Sequence, residues 1–129
     1  MSSVLERIRR TLDGLLGGDA GMAGTYYGAC NERELDHWNY FVFNRRVTTK
    51  RNGSRQDYQT FYEVHIVHED YIPEGYVEAV VAALEAEDES GTKLRATDDD
   101  IRYDYVFKGN TDVVVEMATI TVFHPSKRC

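Results

Sequence analysis

His65 and His68 stand three residues apart in the segment FYEVHIVHED. Two imidazoles so close invite a metal site, which needs convergent ring nitrogens and further ligands. The segment alternates, however, with Tyr62, Val64 and Ile66 on one side and Phe61, Glu63, His65 and Val67 on the other. That is the period of a β-strand, on which residues three apart face opposite ways. The two rings diverge unless a bulge intervenes, and no nearby cysteine or third histidine completes a zinc set. The pair reads as an edge or surface pair, with no metal and no cofactor expected.

Cys30 and His37 suggest a thiol and its base, but a reactive cysteine needs an electropositive pocket that nothing in the sequence indicates. No serine sits in a G-x-S-x-G elbow, and S-x-x-K is absent. Gly17, Gly18, Gly21 and Gly24 follow a helix and lack the Lys-Ser/Thr ending of a phosphate loop, so this stretch reads as a flexible linker. The carboxylates Glu85, Glu87, Asp88 and Glu89, and Asp98, Asp99 and Asp100, lack the spacing of a calcium loop and read as solvated. No catalytic residue emerges. The chain is expected to act by binding or assembly, not as an enzyme.

Charge distribution is more informative. The net charge is −7, which argues against nucleic-acid binding by the surface as a whole. Residues 40–60 nevertheless carry Arg45, Arg46, Lys50, Arg51 and Arg55 against Asp57 alone, whereas residues 69–104 hold twelve acids against three bases. A basic arm thus projects from an acidic body. Arm and acidic helix end (Glu85, Glu87, Asp88, Glu89) are the expected subunit contact: head-to-tail, and closing into a ring if the rotation allows. Such charges set register and specificity, while apolar contacts supply most of the affinity.

The elements that must position these groups follow from periodicity. Ser3 and Glu6 form a capping box, and Val4, Leu5, Ile8, Leu12, Leu15 and Leu16 recur on one helical face. The predicted helix covers residues 1–17 and stops at Gly17 and Gly18. A short strand follows at residues 25–30. Residues 40–68 read as a long hairpin arm turning at Asn52-Gly53. Pro73 and Glu74 open a central helix over residues 73–87, with Val77, Val80, Val81 and Leu84 on its apolar face. A short strand near residues 93–96 precedes a terminal strand pair over 101–123. The expected fold class is α+β. A mostly antiparallel sheet of four to six strands carries the N-terminal and central helices on one face, with one long protruding β-hairpin. The 129 residues fit a single domain, 1–129, with 42% hydrophobic and 29% charged residues. Cys30 and Cys129 read as free thiols in a reducing compartment, and residues 1–16 lack the pattern of a signal peptide.

Together the segments SSVLERIRRTLDGLL, YFVFNRRVTT, QTFYEVHIVHEDYIPEG, YVEAVVAALEA, IRYDYVFKG and TDVVVEMATITVFHPSKR resemble, in order and size, the tail-terminator and tail-completion proteins of long-tailed bacteriophages. That resemblance implies a virion structural protein forming a homo-oligomeric ring, a hexamer, at the head-proximal end of the tail. The ring would cap the tail tube protein, face the head connector protein and let DNA pass through an acidic lumen without specific binding. It would assemble in the host cytoplasm, with no membrane involved. A head–tail connector or adaptor of the same virion is the nearest alternative. Two others are a small-ligand or enzymatic domain with a pocket lined by Tyr26, Tyr27, Tyr62, Tyr103 and Tyr105, and a regulatory nucleic-acid binder using the basic hairpin.

Overall fold

The computed structural model describes residues 3–18, 20–29, 38–50, 58–86 and 93–125. Arg51, Arg55, Glu87, Asp88, Glu89, the Asn52-Gly53 turn, Cys30, His37 and Cys129 lie outside them. Helix α1 spans Val4–Asp13. The capping box forms as expected: the Ser3 hydroxyl accepts from the Glu6 N–H at 3.1 Å, and the Glu6 carboxylate accepts from the Ser3 N–H at 2.8 Å. Ile8 and Leu12 are fully buried, with Val4, Leu5 and Leu15 packed beside them. Each buried aliphatic of this kind contributes about 2 kcal/mol of transfer free energy.

The helix ends earlier than the apolar spacing suggests. Gly14 is its cap, because Asp13 and Gly14 are both poor helix formers. Leu15 and Leu16 continue as turn. The glycine-rich stretch is not the flexible linker expected. Gly17, Gly18 and Gly21 all have positive φ, and Gly17 N–H donates to the Met22 carbonyl at 2.8 Å. The turn so closed buries Ala20 and Met22 in the core.

Among the described residues, six strands form one mixed sheet: β1 Thr25–Tyr27, β2 Tyr40–Lys50, β3 Tyr58–Glu69, β4 Arg95–Ala96, β5 Arg102–Phe107 and β6 Val114–Phe123. Their order is β1-β2-β3-β6-β4, with β5 also paired to β6. β1 runs parallel to β2, and every other pairing is antiparallel. β3 lies along one side of β6. On the other side β5 covers the stretch from Val114 to Thr119 and β4 covers Val122 and Phe123.

Helix α2 spans Tyr76–Glu85, starting after Gly75 at φ +83°. Pro73 and Glu74 therefore belong to the preceding turn, where the Pro73 carbonyl accepts from Tyr76 N–H at 3.1 Å. Both helices pack on one sheet face. Val77, Val80 and Leu84 join Ile8 and Leu12 over Phe41, Phe43, Val64, Ile66, Ala118, Ile120 and Val122. Arg7 is buried in this layer at 2% exposure. Its guanidinium donates to the Leu84 carbonyl at 3.2 Å and to that of Ala86, so α1 closes the C-terminal end of α2. The fold is the α+β arrangement expected, with both helices on one face and a long hairpin.

Candidate functional site

The face opposite the helices carries a polar network across three strands. The register sets Asn44, Glu63 and Thr121 in one row and Val42, His65 and Thr119 in the next. His65 Nδ1 lies 2.9 Å from the Thr119 hydroxyl, and Nε2 lies 3.0 Å from Asn44 Oδ1. The Asn44 amide donates to Glu63 Oε1 at 3.2 Å. A register shift between Arg45 and Val47 sets off Arg46, whose Nε lies 3.9 Å from Glu63 Oε2. Burial lowers the His65 pKa from 6.5, against the opposing pull of the Glu63 and Asp104 carboxylates. The neutral tautomer that satisfies both neighbours donates from Nε2 to Asn44 and accepts the Thr119 hydroxyl at Nδ1.

This network floors a cleft of 580 Å³ whose lining includes Asp99, Asp100, Arg102 and Asp104. Charges of both signs line it, with no Tyr, Phe or Trp among them. Both His65 ring nitrogens are occupied, so the imidazole ties strands together. His68 lies on the other face. Its ring nitrogens meet the carbonyls of Ala20 at 2.9 Å and Glu69 at 2.8 Å, which fastens the glycine turn to β3. The two histidines diverge as the strand period requires. Among the described residues, no group of three His, Cys, Asp or Glu is placed to hold a metal ion.

A second feature lies at the β5 edge. All six residues of β5 are exposed, although it pairs along β6. Tyr103, Tyr105 and Phe107 form one row on the helix side, at 47%, 60% and 63% exposure. Val106 is 57% exposed on the opposite side. Tyr71 and Val114 add further exposed apolar surface. Tyr105 is pinned by its hydroxyl, which donates to Glu116 Oε2 at 2.7 Å, while Glu116 Oε1 accepts from Ile72 N–H at 2.8 Å. That carboxylate raises the phenol pKa above 10.0. Between this row and the start of α2 lies a cleft of 380 Å³, bordered by Glu74, Glu78, Val77, Tyr103 and Glu116.

The residues singled out by charge are only partly brought together. Arg45, Arg46 and Lys50 are exposed along β2, beyond the stretch of that strand paired with β1. Glu85 is engaged within the chain, where Oε2 accepts from the Ala96 N–H at 3.0 Å and holds β4 against α2. The five tyrosines do not line one pocket. Tyr26 and Tyr27 lie on β1 at one sheet edge, Tyr103 and Tyr105 on β5 at the other, and Tyr62 on β3 between them. Tyr27 packs on Phe43 with ring centroids 5.2 Å apart, under the Arg9 guanidinium 5.1 Å from the Phe43 ring.

No protein-family model matches the chain, and no curated protein matches it. Among solved structures it is similar to one at 14% sequence identity and a TM-score of 0.49, over 100% of this chain and 99% of that one. A likeness of that size carries no argument about function.

Proposed function

We propose that this chain is a structural subunit that assembles with copies of itself into a ring, and that the ring terminates the tail of a long-tailed bacteriophage. The observation that carries the assembly reading is β5, an edge strand exposed on both faces and studded with Tyr103, Tyr105, Val106 and Phe107. Native proteins blunt such edges or cover them, because an open strand recruits another chain. An apolar row of this size marks an interaction surface.

The cleft over the polar network supports the same reading over a small-ligand domain. A small-molecule site is mostly apolar with a few convergent polar groups. The 580 Å³ cleft over the open face is instead walled by Asp99, Asp100, Arg102 and Asp104. The basic stretch of β2 and the β5 edge also lie on opposite flanks of the sheet, as a head-to-tail ring contact requires. Tail termination, the hexamer, and the tube and connector as partners rest on the resemblance in the order of elements.

Negative-stain imaging of the purified protein tests this. Rings with a central opening are expected, and these should shorten tail tubes when added during tube polymerisation. Solitary particles at every concentration would overturn the assembly reading. Rings that leave tube length unchanged would overturn the terminator assignment alone.

A further inference from the structure

Among the described residues, two stretches of open sheet edge are of complementary character. One is the outer edge of β5, which no strand pairs among the described residues. The other is β2 beyond Phe43, which no strand covers on that side among the described residues, since β1 reaches only from Phe41 to Phe43. β2 is antiparallel to β3, β3 to β6, and β6 to β5, so β2 and β5 run in opposite directions. A second copy in the same orientation therefore brings its β2 beside β5 with the antiparallel alternation unbroken.

Side-chain direction agrees with strand direction. Arg45 lies opposite Tyr62 and Lys50 opposite Tyr58, and Tyr62 in turn lies opposite the core residue Val122. The even positions of β3 face the helices, so Arg45 and Lys50 share the face on which Tyr103, Tyr105 and Phe107 stand. That face is acidic next to β5: Glu74 and Glu78 are exposed beside Tyr103, with no Lys, Arg or His lining the cleft between them. The arm supplies the opposite charge, together with exposed Tyr58 on the same face.

We propose that residues 44–50 of one copy dock antiparallel on β5 of a second copy. This sets Arg45 and Lys50 over the Tyr103–Tyr105 row and beside Glu74 and Glu78. Backbone pairing and the aromatic row supply the affinity, and the charges set the register. β5 lies along Val114 to Thr119, while the arm extends past Val122, so successive copies are displaced along the strand direction. The proposal rests on the self-assembly reading above and names the surfaces that make the contact.

The test is a charge-exchange mixing experiment read by native mass spectrometry and sedimentation. One chain carries Arg45→Glu with Lys50→Glu; the other carries Glu74→Lys with Glu78→Lys. Each alone should need at least about tenfold more protein to half-assemble than the wild type. Mixed in equal amounts they should assemble, because every contact is then either wild type or reversed on both sides. If the single chains assemble like the wild type, or the mixture fails to recover, the docking is wrong while ring formation stands. If the wild type itself never associates, both readings fall. Circular dichroism checks folding. If a reversed chain does not fold, the Gln versions of the same positions replace it, with a smaller shift in the same direction expected and wild-type assembly of the Gln chains as the contrary result.

Discussion

Replacing Arg7 tests how the two helices are held together. Arg7 is 2% exposed, and its guanidinium serves the carbonyls of Leu84 and Ala86, where α2 has no further turn to satisfy them. A hydrogen bond to a charged group contributes about 1.5–3 kcal/mol, and a carbonyl left dry costs a similar amount. Against this, Leu at the site removes the cost of desolvating a cation. The balance for Arg7→Leu is a loss of about 3 kcal/mol. For a chain of 129 residues that lowers Tm by about 10 °C. Arg7→Lys keeps the charge but not the two-pronged geometry, so it should lose about half as much. Chemical denaturation with an unchanged m-value is the assay. A loss below about 1 kcal/mol for Arg7→Leu would show that the α2 carbonyls find other partners and that the buried guanidinium is not what joins the helices.

Ser3→Ala removes the hydroxyl of the capping box and should cost about 1 kcal/mol in the same assay, with helix content falling at the N-terminus. Gly75 precedes α2 at φ +83°, so Gly75→Ala should cost about 1 kcal/mol although open space surrounds the position. Burial holds the His65 pKa below 6.5, so the unfolded chain takes up a proton at a higher pH than the folded one. Stability should therefore fall as pH drops below about 6.5 towards the folded-state value, and His65→Gln should flatten that part of the profile. An unchanged profile would mean that the ring is not held neutral in the sheet.

The fold was largely legible because its signals are local. The Ser3–Glu6 box, the alternation around Val64 and Ile66, and the apolar face of Val77, Val80 and Leu84 each report one element without outside information. Boundaries were less so. Leu15 and Leu16 continue the apolar pattern of α1, yet Gly14 ends the helix, because Leu15 reaches the core from a turn as well as from a helix. Gly17, Gly18 and Gly21 have the composition of a linker, but only the three-dimensional closure of Gly17 on Met22 makes them a turn. The burial of Arg7 has no local signal, since nothing in α1 announces that α2 will end above it. The β5 row was legible as alternation of Tyr103, Tyr105 and Phe107. That the row is left exposed depends on how the chain packs in three dimensions, with only the start of α2 bordering Tyr103.

Amide hydrogen exchange along β5 tests the central claim most directly. In dilute protein the amides of Arg102 to Phe107 that do not pair with β6 should exchange at the rates of an open edge. At concentrations where rings form, those same amides should become protected, together with the free edge of residues 44–50. Rapid exchange of β5 within an assembled ring would contradict the account, as would an edge already protected in the solitary chain.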